Sequence, residues 1–254
     1  WAVVLGASSG FGGATSKELA ACGLNICGVH LDRKGTQHLA DEVAAAVRAA
    51  GREALFFNMN ASDDAKRGEV IAALKERKAK VLTLLHSLAF GTLKPYIGEK
   101  PEETISKANM EMTLDVMAHS LVYWAQDLVR AGLLGRGGRI FAMTSEGDVR
   151  AWKTYGAVSA AKTALEAHIR QLAVELAPLG ATANAIRAGV TDTAALRKIP
   201  GADKMVEDAR KRNPAGRLTT PEDVASAIAL LSRAEASWIT GNVIGVDGGE
   251  FVSS

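Results

Sequence analysis

Tyr155 and Lys162 stand seven residues apart in the segment TYGAVSAAK. A tyrosine phenol can donate a proton to an oxygen that gains negative charge, and a lysine cation can stabilise such charge nearby. Seven residues are about two turns of a helix, so the two side chains lie on roughly the same helical face. The position one turn closer to the lysine is Val158, which has no proton to give. Tyr155 and Lys162 are therefore candidate catalytic residues of a proton-donating centre.

A glycine-rich turn near the start of the chain indicates where a nucleotide would bind. Gly6, Gly10 and Gly12 follow an apolar run and open a helical pattern, with the spacing G-x-x-x-G-x-G. Glycine lets the backbone approach a pyrophosphate closely, and the helix N-terminus offers N–H groups and positive potential to it. Glycine is common in turns, so the triplet gains weight only from the strand before it and the helix after it.

Short apolar runs alternate with longer helical patterns along the whole chain. Strands are predicted at 2–5, 25–29, 53–58, 81–86, 138–144, 182–186 and 242–246, and helices at 11–21, 36–50, 63–76, 102–129, 154–176 and 221–231. The strand runs lack polar alternation, as expected where helices cover both faces of a sheet. We therefore expect the α/β class: a doubly wound (Rossmann) seven-stranded parallel sheet in a single domain spanning 1–254. Ligands of such sheets bind beyond the carboxyl ends of the strands.

Composition and charge exclude several function classes. The chain is 48% hydrophobic with a net charge of +2, which gives no electrostatic argument for binding nucleic acid. It has no apolar run long enough for a membrane span and no signal-peptide pattern, so a cytoplasmic location is expected. Its five histidines make no metal-ligand spacing with cysteines or carboxylates, and no metal is expected.

Four stretches make the chain resemble the short-chain dehydrogenase/reductase superfamily over nearly its whole length. They are GASSGFG, the Asn60-Ala61 step after the third strand, the segment with Tyr155 and Lys162, and TGNVIGVDGG near the end. The resemblance implies a nicotinamide dinucleotide cofactor. The candidate cofactor-binding residues are Gly6, Ser8, Ser9, Gly10, Phe11, Gly12, His30, Arg33, Asn60, Ala61, Ser87, Lys162, Gly189, Val190, Thr191 and Thr193.

Three positions separate the chain from the carbonyl-reducing branch of that superfamily. The branch usually has N-N-A-G after the fourth strand, a catalytic Asn in the long fourth helix, and a Tyr four residues before the Lys. Here these positions hold 86–89 (HSLA), Met117 and Val158. All three departures resemble the enoyl-acyl carrier protein reductases, whose Tyr–Lys spacing is seven and whose V-H-S-I-G-F-like stretch is similar to LHSLAFG.

The segment 183–218 is similar to the substrate loop of the type III enoyl reductases, which also have serine at the position of Ser145. The resemblance implies reduction of the 2,3 double bond of trans-2-enoyl thioesters in fatty-acid elongation. Tyr155 would donate to the enolate, and Ser145 would either support it or satisfy backbone groups. The implied partners are an acyl carrier protein or coenzyme A thioester and further copies in a homotetramer. The candidate substrate-binding residues are Leu88, Ala89, Phe90, Tyr155, Ala194 and Leu196.

The choice between NADPH and NADH depends on the end of the second strand, where an acidic residue binds the ribose 2′-hydroxyl of NAD and a basic one accommodates a 2′-phosphate. Alignment by hydrophobic pattern puts the usual acidic position at His30, and Arg33 and Lys34 follow. NADPH is therefore expected over NADH. A register shift would bring Asp32 into play and reverse that expectation.

The loop 191–216 carries a basic cluster that could steer an acidic carrier protein or could simply be a solvated helix face. The cluster consists of Arg197, Lys198, Lys204, Arg210, Lys211 and Arg212. Two other functions remain open from the sequence. One is a short-chain dehydrogenase acting on ketones or alcohols, and the other is a non-catalytic NADP-binding sensor or scaffold.

Overall fold

One sheet of seven parallel strands organises the chain, and this computed structural model describes residues 1–253. The strands are β1 (Ala2–Leu5), β2 (Ile26–His30), β3 (Ala54–Asn58), β4 (Thr83–His86), β5 (Arg139–Thr144), β6 (Thr182–Ala188) and β7 (Val243–Val246). Their spatial order is β3-β2-β1-β4-β5-β6-β7, and neighbouring strands are parallel throughout. The predicted doubly wound sheet is confirmed, with the strand ends within two residues of expectation.

Helices cover both faces of this sheet. They are α1 (Gly10–Ala21), α2 (Gln37–Ala49), α3 (Asp64–Glu76), α4 (Lys107–Leu114), α5 (Ser120–Arg130), α6 (Gly156–Leu176), α7 (Ala202–Arg212) and α8 (Pro221–Leu231). Helix α8 begins at Pro221, as its sequence predicts, because Thr220 and Asp223 close a reciprocal capping box before it. No helix within residues 1–253 combines the length and apolarity needed to cross a membrane.

Two hydrophobic cores form, one on each face of the sheet. Ile140 packs with Trp124 and the helices α5 and α6, whereas the next residue, Phe141, packs on the other face with α1 and α8. Successive residues of a strand point to opposite faces, so a strand covered on both faces favours apolar side chains at successive positions. This packing is the physical reason for the unbroken apolar runs in the sequence.

The long helix predicted at 102–129 is wrong as a single element. Pro101–Glu103 form a 3-10 turn, and α4 begins only after Ser106, whose hydroxyl accepts a hydrogen bond from the Asn109 backbone N–H at 3.2 Å. A π-helical turn, Asp115–His119, then joins α4 to α5. Apolar residues continue at helical spacing through this turn, so the sequence pattern gave no sign of it.

The π-helical turn is connected to β4 through a buried hydrogen-bond chain. The Ser120 hydroxyl donates to the Val116 carbonyl at 2.8 Å. The same hydroxyl lies 2.9 Å from His86 Nε2. Because the serine proton is already used, Nε2 of His86 must be the donor in this second bond. These hydrogen bonds hold the π-helical turn against β4, and Met117 of this turn lines the cleft described below.

The order in which successive strands join the sheet reverses between β1 and β4, and a crevice lies beyond the carboxyl ends of these two strands. Gly6 follows β1 at this crevice, and α1 starts four residues later and packs against the turn. A Cβ atom at Gly12 would lie 2.1 Å from the Gly6 carbonyl oxygen, and one at Gly6 would lie 2.3 Å from the Ser87 carbonyl oxygen. Close packing of backbone on backbone therefore requires glycine at both positions.

We expect Gly12→Ala to destabilise the fold by about 2 kcal/mol, because backbone atoms must shift to admit the methyl group. Gly68→Ala is the matched control, since Gly68 is exposed in α3 and has open space where its Cβ would be. That change should be neutral or stabilise by up to about 1 kcal/mol. Urea unfolding of the two variants measures both values, and equal effects would show that the α1 packing is not tight.

Candidate active site

Two adjoining cavities lie beyond the carboxyl ends of the strands. The glycine-turn cavity, about 500 Å³, follows the turn between β1 and α1, and the Tyr155 cavity, about 420 Å³, lies between α6 and α7. The two share lining residues, so they form one continuous cleft. The shared residues are Phe11, Ala89, Thr193, Ala195 and Lys198.

Most of the predicted cofactor residues line this cleft. In the glycine-turn cavity these are Gly6, Ser8, Ser9, Gly10, Phe11, His30, Asn60, Ala61, Ser87 and Thr193. In the Tyr155 cavity they are Phe11, Lys162, Gly189, Val190, Thr191 and Thr193. Two predicted residues line neither cavity: Gly12 is buried beneath the turn, and Arg33 is exposed in the loop after β2.

The glycine-turn cavity fits a dinucleotide. The first turn of α1 opens into it, and the side chain of its N-cap residue, Ser9, forms no capping bond. The N–H groups of a first helical turn have no partner within their helix, so they can bind a pyrophosphate. The Gly6 turn leaves no side chain between the backbone and such a ligand.

Asp32, and not Arg33, faces the end of this cavity. Its carboxylate lies 2.8 Å from Nδ1 of buried His30, and its backbone N–H donates to the Asn58 side chain at 3.0 Å. Burial raises the pKa of Asp32, but hydrogen bonds from Thr36, Ser8 and His30 outweigh it and hold that pKa below its usual value. Asp32 is therefore an anion in the cavity.

The two basic residues that follow Asp32, Arg33 and Lys34, are exposed and do not line the cavity. The alignment by hydrophobic pattern placed the acidic position at His30, whose buried ring instead supports Asp32 from below. The cavity wall thus contains Asp32, as the alternative alignment shifted in register predicts.

Three predicted substrate residues lie in the glycine-turn cavity and not in the Tyr155 cavity. They are Leu88, Phe90 and Ala194. The backbone after β4 turns toward the glycine loop, which brings the Leu88 side chain within 3.7 Å of the place of a Cβ on Gly6. Ala89 lines both cavities, and Leu196 and Tyr155 line the Tyr155 cavity as expected.

Tyr155 is the N-cap residue of α6 and is not inside the helix, whose predicted start was 154. Its ring covers Gly147, where a Cβ would lie 2.3 Å from the ring. The edge of the Trp152 ring also packs against it, with the centroids 5.9 Å apart. Burial raises the pKa of Tyr155, opposed by a hydrogen bond with Ser145, so the phenol keeps its proton at neutral pH.

Ser145 lies beside both Tyr155 and the backbone of the turn that follows it. Its hydroxyl interacts with Tyr155, and it also accepts a hydrogen bond from the Gly147 backbone N–H at 3.2 Å. Ser145 thus caps the 3-10 turn at Glu146–Asp148 and stands next to the phenol of Tyr155. The role of Gly147, which leaves room for the Tyr155 ring, is visible only in the structure and not in the sequence.

Lys162 is 5% exposed, and its ammonium donates to the Met143 carbonyl at 2.6 Å. Burial lowers the pKa of Lys162 to about 8, opposed by the negative charge of Glu166. The ammonium therefore remains the main form at neutral pH. It lines the Tyr155 cavity, so a cation and a protonated phenol face the same space.

The rest of the Tyr155 cavity near these groups is apolar. Met117 and Val158 line it, and a Cβ on Gly91 would lie 2.8 Å and 2.7 Å from their side chains. His86 lies behind this wall, fully buried, and burial lowers its pKa to about 3. His86 is thus a neutral structural residue, and it lines neither cavity.

Arg212 was predicted as part of a basic surface rim, but it is only 22% exposed and joins three parts of the site. Its guanidinium contacts Glu250 at 2.8 Å and Glu146 at 3.3 Å. Glu250 also accepts the Val190 backbone N–H at 3.1 Å. The cation thus attaches α7 to the turn after β5 and to the loop after β6.

Other members of the predicted basic cluster are also paired. Arg197 binds Asp192 and Asp203, and Lys211 binds Glu207. These contacts reduce the positive potential that the sequence assigned to the loop. Sequence spacing could reveal the Lys211 pair, which is one helical turn apart, but not the long-range contacts of Arg212.

The family profile described as "Enoyl-(Acyl carrier protein) reductase" matches residues 6–250. The chain belongs to this family of short-chain dehydrogenases/reductases. The members of such a superfamily share a fold while differing in substrate, so relatives are informative about class and less so about the molecule reduced. The predicted membership is confirmed, and the chain is an oxidoreductase of the short-chain dehydrogenase/reductase type.

Individual relatives show the spread of substrates in the family. The chain is 30% identical to the 1-cyclohexenylcarbonyl-CoA reductase of Streptomyces collinus over 97% of its own length and 85% of that protein. It is also 30% identical to the cis-4-hydroxycyclohexanecarboxylate dehydrogenase of Sinomonas cyclohexanicum, over 98% and 95%. The solved enoyl-[acyl-carrier-protein] reductase (NADH) of Aquifex aeolicus superposes with a TM-score of 0.86 at 25% identity, covering 100% of this chain and 96% of that one.

We expect Arg212→Ala to destabilise the fold by about 3 kcal/mol at pH 8, because it leaves the buried Glu250 carboxylate without its cation. Glu146 keeps a second cation, Arg150, at 3.4 Å. Burial already raises the pKa of Glu250. Loss of Arg212 raises it further, so the penalty is largest above that pKa and shrinks as falling pH protonates Glu250.

Urea unfolding at pH 8 and pH 5.5 measures this penalty. Arg210→Ala is the control, because Arg210 is exposed on the same helix. A loss of stability that is equal for the two variants, or independent of pH for Arg212→Ala, would contradict the buried network.

Proposed function

We propose that this protein reduces the 2,3 double bond of trans-2-enoyl thioesters with a nicotinamide cofactor, as part of fatty-acid elongation. The observation that carries the proposal is the wall of the Tyr155 cavity. Met117 and Val158 occupy it where the carbonyl-reducing branch has an amide and a phenol. A ketone needs a donor close to the carbon that receives hydride, whereas an enoyl thioester needs it at an oxygen further away.

The proposed chemistry assigns one task to each polar group. When bound, a nicotinamide would supply hydride at C3 of the substrate. The thioester oxygen would then carry negative charge until a proton from solvent reached C2 and completed the saturated product. Tyr155, protonated and oriented by Ser145, donates a hydrogen bond or its proton to that oxygen. The Lys162 ammonium stabilises charge in the same cavity, and its place beside Met143 suits contact with the nicotinamide ribose. The apolar wall excludes water and accepts the acyl chain.

NADH is the cofactor that the position of Asp32 supports. A carboxylate accepts hydrogen bonds from a ribose 2′-hydroxyl and repels a 2′-phosphate. The NADPH expectation was based on Arg33 and Lys34, which are exposed outside the cavity. The Aquifex reductase, whose description specifies NADH, supports the same assignment by analogy.

The thioester carrier is an acyl carrier protein or coenzyme A. The Streptomyces relative is named as a reductase of a coenzyme A thioester, and the Aquifex relative as a reductase of an acyl carrier protein thioester. Lys198 lines both cavities at their junction, which places a cation near any phosphate of an entering carrier arm. The dehydrogenase from Sinomonas supports alcohol oxidation as the second candidate function.

Following NADH and NADPH absorbance with crotonyl thioesters and with a panel of ketones tests this proposal. Turnover on the thioester and none on ketones is the expected result. Ketone turnover alone would select the alcohol dehydrogenase, and cofactor binding without turnover on either class would select a sensor or scaffold.

We expect Tyr155→Phe to lower thioester turnover by about 10²-fold while leaving cofactor affinity nearly unchanged, because it removes only the donor to the enolate. Tyr123→Phe is the matched control, since Tyr123 lies on α5 outside both cavities. The measurement is kcat together with the cofactor dissociation constant. Comparable loss of cofactor binding would make Tyr155 a structural residue.

We expect Asp32→Asn to weaken NADH by about tenfold, because a charged hydrogen bond to the ribose becomes a neutral one. The same change should strengthen NADPH, because it removes repulsion of the 2′-phosphate. Calorimetric titration of both cofactors gives the two constants. Arg33→Ala is the comparison: if it weakens NADPH selectively, the original expectation based on Arg33 is right and the role of Asp32 is wrong.

A further inference from the structure

The carboxyl group of Glu166 lies near Lys162 without lining the cleft. Glu166 follows Lys162 by one helical turn on α6, so the two side chains share a helical face. The Thr144 hydroxyl, at the end of β5, donates to the Glu166 carboxyl at 2.7 Å. Glu166 is thus held close to the cavity without lining it.

Asp148 contacts Glu166 from the 3-10 turn after β5. Its Oδ1 atom is buried, and no donor in the described part of the chain forms a hydrogen bond to it. A buried carboxylate oxygen without a donor is costly. The neighbouring Glu166 carboxyl becomes a donor as soon as it carries a proton, which satisfies this atom.

We propose that Glu166 and Asp148 form one proton-sharing acid pair that sets the charge state of Lys162. Both are positioning residues, because they touch neither cavity and act through the lysine. The importance of that charge for turnover rests on the proposed function, whereas the pair itself is a property of the protein without ligands.

The charged groups that face Glu166 determine how the pair titrates. Lys162 and Arg170 come from its own helix and Asp148 from the turn. On β6, Arg187 is the register partner of Thr144, but its guanidinium stacks on the Phe251 ring at 3.7 Å.

Two effects keep a proton on the pair up to neutral pH. Burial and then the hydrogen bond with Asp148 raise the pKa of Glu166 to about 7, opposed by the Thr144 hydroxyl and Arg170. When that proton leaves to solvent, the pair changes from one negative charge to two. The values belong to the pair as a unit.

The second charge appears where Lys162 would begin to lose its own proton. Burial lowers the pKa of Lys162 to about 8, and the Glu166 charge opposes that effect. Ionisation of the pair near pH 7 therefore retains the ammonium at slightly alkaline pH. Removal of the Glu166 charge should let the lysine become neutral at lower pH.

Carbon-13 NMR titration of the cofactor-free protein tests the pair directly. Protein labelled at the glutamate δ-carbon and lysine ε-carbon is compared with its variants, and Glu166→Gln and Lys162→Arg assign the signals. In the unchanged protein we expect a Glu166 midpoint near 7. Asp148→Asn should lower it by about one pH unit, and Thr144→Val should raise it, because these neighbours act with opposite sign.

The Lys162 midpoint gives the second readout. It should fall by about one pH unit in Glu166→Gln and should not fall in Asp148→Asn, where Glu166 ionises fully. Glu175→Gln is the control, because Glu175 lies on the same helix but binds Gln171. A Glu166 midpoint in the ordinary carboxyl range, or an unchanged Lys162 midpoint in Glu166→Gln, overturns the proposal. If Glu166→Gln does not fold, the opposite shifts in the other two variants decide it.

The pH profile of kcat with crotonyl thioester connects the pair to turnover. Its alkaline limb should move to lower pH in Glu166→Gln and stay in place in Glu175→Gln. If the NMR shifts occur but neither the unchanged protein nor its variants turn over a thioester, the acid pair is confirmed and the proposed function fails. If turnover occurs but neither the limb nor the Lys162 midpoint moves in Glu166→Gln, the charge state of Lys162 is not set by the pair, and the proposal fails alone.

Discussion

The burial of one ammonium group, that of Lys162, is the constraint on which the site depends. An isolated buried cation is costly, so its surroundings must supply either a hydrogen bond or a compensating charge. The Met143 carbonyl supplies the first and Glu166 the second. Both are available only because β5 ends where the first turns of α6 pass over it. The packing of that helix on the sheet therefore decides the charge state of the lysine.

A second constraint is the close approach of α1 to β1. Gly6 and Gly12 let the helix start directly over the end of the strand, and the resulting N-terminus faces the crevice. The glycine-turn cavity and the Tyr155 cavity meet at Phe11 and Ala89. A dinucleotide lying along the first cavity would reach the second at this junction, where the phenol and the ammonium face it.

The outer part of the site is held by charge in the same way as the inner part. Arg212 attaches α7 to Glu146 and Glu250, which are on two other segments. A mobile helix would leave the buried Glu250 carboxylate without its cation, so the network favours one position of α7 against the cavity. The ion pairs of Arg197 and Lys211 use charges that would otherwise attract an acidic partner. Under the proposed function, recognition of a carrier would therefore depend more on residues at the cavity junction, such as Lys198.

Local rules were enough for much of the fold. Predominantly apolar runs predicted the seven strands, because burial on both faces favours apolar side chains at successive positions. Thr220-Pro221 marked the start of α8. The helix prediction at 102–129 failed for two reasons. A periodic pattern does not show the local Ser106 cap, and it does not show the hydrogen bond between His86 on β4 and Ser120 after the π-helical turn.

For the site, the sequence by itself determined the chemical groups: the glycine turn, Tyr155, Lys162 and the absence of a donor at Val158. These follow from residue type and spacing within single elements. Only the tertiary structure decided that Asp32 faces the cavity in place of Arg33, that Arg212 is buried in an ion-pair network, and that Asp148 meets Glu166. All three depend on how separate segments pack together. Charges interact over a few ångströms, and spacing along the sequence does not show which charged groups come that close.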